Sequence, residues 1–219
     1  MTADEAKLLA ARAAIAQLPP QGTIGLGTGS TAKLFVDEVG ALVKAGSFYR
    51  GVPTSEATRK QATALGIPLL VDDDAWDIDV CVDGADEVDE DLNLIKGGGG
   101  AMTREKIVND ASRKRITIVD ESKLSKRLGE KWPIPLEILQ FGRASIMKKL
   151  ERFGRPELRN FVTDAGNLVV DLRVKPIDDP RALDHLIRSI PGVVETGLFV
   201  HRADLVIVAG ASGIRTLAR

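Results

Sequence analysis

From residue 23 to about residue 120, short apolar runs alternate with segments of helical spacing, and this alternation narrows the possible folds more than any other feature. Residues 23–26, 48–52, 67–71, 78–82 and 115–119 read as strands. Between them, stretches 32–43, 55–65 and 102–113 carry helical patterning. An earlier helix starts at Thr2, where Thr2 and Glu5 have capping-box spacing, and stops at Pro19-Pro20. Repeated strand–helix–strand units bury a parallel sheet under helices on both faces.

The order changes after about residue 125. Residues 133–139 read as strand, 144–153 as helix, and 160–174 as a hairpin turning at Asp164-Ala165-Gly166-Asn167. A helix over 181–189, capped by Asp178 or Asp179 with Pro180 at its first position, precedes a strand over 193–200. That β-α-β-β-α-β order is the split arrangement of a ferredoxin-like domain. The last apolar run, 204–208, is expected to return to the first sheet. The expected fold is therefore α/β. A mainly parallel Rossmann-like sheet flanked by helices spans 1–127 and 203–219, and a smaller α+β ferredoxin-like domain over 128–202 is inserted before the final strand.

Composition removes several function classes. Apolar residues make up 44% of the 219 and charged residues 28%, which suits a folded domain and not a disordered chain. A net charge of -1 provides no global field toward nucleic acid or an anionic membrane. Cys81 is the single cysteine, so no intrachain disulfide forms, and with only His185 and His201 beside it a Cys/His zinc site is excluded. There is neither an 18-residue apolar run nor a basic segment leading into one. A cytoplasmic protein without nucleic-acid or membrane partners is expected.

Four segments at strand ends can carry chemistry. Gly25-Leu-Gly27-Thr28-Gly29-Ser30-Thr31 joins a strand to a helix, where N–H groups and hydroxyls face an anion or simply make a tight turn capped by Ser30 or Thr31. It matches neither the dinucleotide fingerprint nor the P-loop. Asp83-Gly84-Ala85-Asp86 follows a buried strand at the carboxyl edge, where open α/β sheets place ligands; Asp89 to Asp91 read as a solvated acidic loop. Lys96-Gly97-Gly98-Gly99-Gly100 is poor scaffold, since each glycine costs about 0.5–1 kcal/mol relative to alanine. Its N–H groups suit a developing oxyanion. Glu105 lies in the first turn of the next helix, where an acid is also favoured by the helix dipole. Lys123 ends the Asp120-Glu-Ser-Lys123 segment at the same sheet edge, and Lys7 sits on the first helix; each is either an anion ligand or a surface lysine.

Taken in order, GLGTGSTA (25–32), PTS (53–55), DGADEVD (83–89), KGGGGAMTREKIV (96–108) and DESK (120–123) resemble the type A ribose-5-phosphate isomerase family over essentially the whole chain, with ETGLF at 195–199. His201-Arg202 departs from the pattern, which has Gly with a small or apolar neighbour there, and Met102 replaces the more usual Leu. The resemblance implies an aldose–ketose isomerase of the non-oxidative pentose phosphate pathway. It would act on a small sugar phosphate, without metal or other cofactor, as a homodimer or tetramer with 128–202 at the interface. By the same resemblance Glu105 is the base, Lys96 and the N–H groups of Gly97, Gly98 and Gly99 stabilise an enediolate, and Asp83 handles hydroxyl protons. Asp86 with Gly84 and Ala85 binds sugar hydroxyls, Thr28 and Gly29 shape the site, and Ser30, Thr31, Lys123 and Lys7 hold the phosphate. Two other readings use some of these features: a sugar-phosphate sensor, and an acyl- or CoA-transferase with Glu105 as nucleophile. Neither accounts for Asp83, Lys96 and Lys123 together.

Overall fold

A computed structural model describes residues 2–218. In chain order the elements begin with α1 (Ala3–Ile15), β1 (Gly22–Leu26), α2 (Ser30–Lys44), β2 (Tyr49–Pro53) and α3 (Glu56–Ala64). They continue with β3 (Ile78–Asp83), β4 (Glu87–Val88), β5 (Leu94–Ile95), α4 (Met102–Asp110) and β6 (Ser112–Asp120). After a 3-10 turn at Glu121–Lys123 come β7 (Ile134–Ile138), α5 (Arg143–Leu150), β8 (Arg155–Val162) and β9 (Leu168–Arg173). The chain ends with α6 (Pro180–Arg188), β10 (Val193–Thr196), β11 (Leu198–Phe199), β12 (Leu205–Gly210) and β13 (Gly213–Ala218).

These elements form two compact units. The first holds the residues up to Gly84, Arg104–Ser122 and those from Ala203 onward; the second holds Ala85–Thr103 and Lys123–Arg202. Residues 85–103 and 123–127, assigned to the large domain from the sequence, thus group with the second unit. The reason is pairing: β5 lies between β4 and β11 in a three-stranded antiparallel sheet, and Val88 bridges Leu124 with Ser125 N donating to Val88 O (2.9 Å).

In the first unit the sheet order is β13-β12-β6-β3-β1-β2. All neighbours are parallel except the β12–β13 edge pair. Counting only its parallel strands, the order is 2-1-3-4-5, so successive connections leave β1 in opposite directions and open a crevice at the carboxyl ends of β1 and β3. One core joins Ile24, Leu26, Val80, Val82, Ile116 and Ile118 to Phe35, Val36 and Val39 of α2. Burying a side chain the size of Phe35 contributes about 1.5–3 kcal/mol. Helix α1 presents Ala6, Ala10, Ala11 and Ala14 to the same core, small residues that let it pack closely on α2. Its start carries the expected box: Thr2 N donates to Glu5 Oε2 (2.6 Å) and Glu5 N to Thr2 Oγ1 (3.2 Å). A second cluster, Val52, Ile78, Cys81 and Val108, attaches α4 to the sheet.

The predicted strand over 67–71 is absent. Pro68 has no N–H to extend a ladder, so only a bridge forms, with Gly51 N donating to Pro68 O (2.8 Å) and Leu70 N to Gly51 O (3.0 Å).

The second unit has an antiparallel sheet of order β10-β7-β9-β8, the 4-1-3-2 order of a split β-α-β fold. Ile134, Leu136, Ile138, Val170 and Leu172 form its core with Ile146, Leu150 and Ile187 of α5 and α6. The single strand expected over 193–200 divides at Gly197 between two sheets. A Cβ there would stand 2.2 Å from Lys96 O, so only glycine passes. At the departure noted above, His201 takes φ 56°, a conformation that favours glycine, and its N–H donates to Asn93 Oδ1 (3.1 Å). Among the described residues no helix is long and apolar enough to cross a membrane.

Candidate active site

In the first unit Thr28, Asp83 and Gly84 meet at the crevice between β1 and β3, with Gly29, Ser30 and Thr31 following on the β1–α2 turn. Past β1 the ladder continues for one bond, Gly27 N to Val82 O (3.0 Å). The chain then turns over Asp83, whose Oδ1 accepts from Thr28 N (3.0 Å) and Gly84 N (2.7 Å). Position 27 must be glycine, because a Cβ would lie 2.3 Å from Asp83 Oδ1 and 2.6 Å from its Cα. Gly29, at φ 113°, caps α2 without any side-chain bond; the sequence-expected caps Ser30 and Thr31 are instead the first helical residues. That leaves an uncapped helix start beside an exposed Ser30 and a half-buried Thr31, the geometry that receives anions.

The Thr28 hydroxyl is held by side chains to which the sequence reading gave no role. It lies 2.7 Å from Thr54 Oγ1, 2.8 Å from Ser55 Oγ and 3.1 Å from Thr58 Oγ1. A consistent set of donors runs Thr28 to Ser55, Ser55 to Thr58 (3.1 Å), and Thr58 to Gly27 O (2.9 Å). Thr54 donates to Leu26 O (3.1 Å). The PTS segment was a visible signal for two of these residues; Thr58, a polar residue in the first turn of α3, carries none.

Helix α4 is the crossover between β3 and β6, so its first turn, with Glu105, lies at the carboxyl edge of the sheet. Glu105 is 5% exposed and Asp83 6%. Buried carboxylates of this kind are costly in a scaffold and common in active sites. The neighbouring Arg104 donates to Glu56 Oε1 (3.1 Å). Hydrogen bonds from Arg59 and then Arg104 hold the Glu56 carboxyl below the usual carboxylate range. Lys7, on α1, has its ammonium 3.4 Å from Asp4 Oδ1.

In the second unit Lys96 follows β5, is 4% exposed and lies 5.4 Å from the centre of the Phe199 ring. The glycine loop closes through Gly100 N to Gly97 O (2.9 Å). Asp86 Oδ2 accepts from Gly98 N (2.7 Å), so one of the three N–H groups expected to face an oxyanion is already engaged. Two residues of β8 meet the loop: Arg159 donates to Gly97 O and Gly98 O, and the Phe161 ring packs where a Cβ on Gly100 would fall. Lys123 lies over Trp132, 5.0 Å from the ring centre. The Trp132 loop is fixed by buried Glu87, which accepts from the N–H groups of Gly129, Lys131 and Trp132 at 2.9, 3.0 and 3.2 Å. Burial raises the pKa of Asp89, which accepts from Asp91 N, Asn93 N and Asn93 Nδ2. Asp89 is thus a buried turn-former and not the solvated acid expected. Among the described residues no three His, Cys, Asp or Glu side chains converge as metal ligands.

A model of the family described as ribose 5-phosphate isomerase A (phosphoriboisomerase A) matches residues 50–213. The chain belongs to that family. It is 45% identical to the ribose-5-phosphate isomerase A of Rhodopseudomonas palustris (strain BisB18), over the whole of both chains. A solved D-ribose-5-phosphate isomerase in complex with phospho-erythronic acid superposes with a TM-score of 0.97 at 40% identity over the full length of both. The Methanocaldococcus jannaschii ribose 5-phosphate isomerase A follows at 0.94 and 39%, again over both whole chains. The mainly parallel sheet and the small antiparallel one are thus the fold of ribose 5-phosphate isomerase A.

Proposed function

We propose that this chain interconverts the aldose ribose 5-phosphate and the ketose ribulose 5-phosphate by metal-free proton transfer. In the open-chain aldose Glu105 removes the proton on C2, and the electron pair moves to the C1 oxygen to give an enediolate. Glu105 then returns the proton to C1 as the O2 proton moves to O1, leaving the ketone at C2. Asp83 carries that hydroxyl proton and assists ring opening. Lys96 and glycine-loop N–H groups stabilise the enediolate oxygen, work for which a single well-aimed donor is worth about 10²–10³ in rate. Asp86, with Gly84 and Ala85, faces the sugar hydroxyls. The phosphate is held at the start of α2 by Gly29, Ser30 and Thr31, with Lys123 and Lys7 supplying positive charge and Thr28 fixing the turn. The observation that carries the reading is Glu105 itself, buried in the first turn of the crossover helix of a family named for this reaction.

A four-carbon acid phosphate such as 4-phosphoerythronate fits the same scheme, because its planar carboxylate resembles the planar enediolate. Purified protein in excess EDTA is expected to convert ribose 5-phosphate to ribulose 5-phosphate. Glu105→Gln is expected to lower kcat by about 10³-fold or more while KM changes little. Near-normal turnover in that variant removes Glu105 from the base role, and loss of wild-type turnover in EDTA removes the metal-free scheme. Assembly as a homodimer or tetramer in the cytoplasm belongs to the same reading. It is supported by Phe141, 92% exposed beside Leu139 on the second unit, and sedimentation velocity decides against a monomer or for it.

A further inference from the structure

Four consecutive glycines impose no conformation of their own, yet an oxyanion donor works only when its N–H is held in one direction. The loop's internal bond, Gly100 N to Gly97 O, closes the turn but leaves the intervening peptide planes to be set from outside. Arg159 does this from β8. Its Nη1 lies 3.0 Å from Gly97 O and 3.0 Å from Gly98 O. Its Nε and Nη2 bond Asp171 on β9 at 2.6 Å each, a two-point pairing that fixes the plane of the guanidinium.

A trans peptide points its C=O and N–H in opposite directions, so holding one end aims the other. The 97–98 peptide is held at both ends, its carbonyl on Arg159 and its Gly98 N–H on Asp86. In the 98–99 peptide the carbonyl is on Arg159, and the N–H of exposed Gly99 is directed the other way. We propose that Arg159, oriented by Asp171, is a positioning residue for the isomerase reaction: it aims the Gly99 N–H at the enediolate oxygen. Hydrogen bonding of that carbonyl to a cation also polarises the peptide and strengthens its N–H as a donor. The proposal rests on the isomerase reading above. Lysine, a point charge without the planar fork, does not reproduce the arrangement.

Arg159→Ala separates this role from a structural one. The expected result is a folded protein with kcat lowered about 10–100-fold and KM for ribose 5-phosphate within threefold. Inhibition by inorganic phosphate should be unchanged, and inhibition by 4-phosphoerythronate at least tenfold weaker, because only the latter has an oxygen at the enediolate position. Millimolar guanidinium should restore part of kcat to Arg159→Ala and nothing to wild type. A kcat within twofold of wild type overturns the proposal, as does an equal loss of affinity for phosphate and 4-phosphoerythronate. If Arg159→Ala does not fold, Asp171→Asn keeps the arginine but loosens its plane. It should lower kcat about 3–10-fold with KM unchanged, and an unaltered kcat there overturns the proposal too. A wild type that fails to isomerise ribose 5-phosphate rejects the parent reading, whereas an active wild type with an unaffected Arg159→Ala rejects the arginine alone.

Discussion

Replacing Thr58 with Val tests how the anion-facing turn is kept rigid. The two side chains are nearly the same shape, so the change removes a hydroxyl without opening a cavity at a position that is 4% exposed. Two bonds are lost, from Thr58 to Gly27 O (2.9 Å) and from Ser55 to Thr58 (3.1 Å). The Ser55 hydroxyl can swing to Thr28 Oγ1, 2.8 Å away, but the Gly27 carbonyl has no such replacement. One buried acceptor left unsatisfied costs about 1–3 kcal/mol. At roughly 2–4 °C per kcal/mol for a chain of this size, the midpoint should fall about 2–12 °C in a calorimetric melt. Thr28 Oγ1 keeps Thr54 and Ser55 but loses its 3.1 Å contact with Thr58, and KM for ribose 5-phosphate should rise about 3–10-fold with a smaller change in kcat. Thr58→Ser keeps the hydroxyl and should recover most of the KM. A Thr58→Val protein that melts within 1 °C of wild type, with KM unchanged, would show that the Thr58 hydroxyl contributes nothing to the turn.

The other perturbations address the same edge of the sheet. Gly27→Ala drives a Cβ against the Asp83 backbone, which cannot move aside as a flexible side chain can, and overpacking of this kind costs about 1–3 kcal/mol. A lower melting midpoint together with at least a tenfold loss of kcat/KM is expected, and wild-type kinetics would contradict the close approach. Glu56 has its carboxyl held below the usual range by Arg59 and Arg104, so its ionised form favours the fold. That contribution is present above the ordinary carboxylate pKa and disappears as pH falls through the lowered folded-state value. The difference in melting temperature between wild type and Glu56→Gln should therefore be open at pH 7 and close toward pH 3; a gap independent of pH would refute the assignment.

What the sequence disclosed follows from how local each cause is. The helix start at Thr2 and the β1–turn–α2 unit are written within a few residues, by a capping box and by glycines at fixed offsets, and both were legible. The strands β4, β5 and β11 are two residues each, too short for any window of periodicity, and β11 pairs with β5 across about 100 positions. The run 67–71 has strand composition, and a single Pro68 outweighs it. At the site, the charged residues and glycines announced themselves. Thr58 and Arg159 did not, because a polar residue on a helix and an arginine on an edge strand look like ordinary surface until their partners, 31 and 61–62 positions away, are known.

The position of β12 has a consequence for synthesis. Helix α1 packs against β6 and β12, yet β12 begins at Leu205, about 190 residues after α1 ends. At about 5–20 residues per second, the alanine face of α1 waits some 10–40 s on the ribosome before β12 follows it. All of the second unit is translated in that interval, so it can finish folding while the sheet that precedes it in the message is still open at β6. Growing chains halted just before residue 205 should accordingly expose the β6 edge and engage holding chaperones, and synthesis through β12 followed by release from the ribosome should end that engagement.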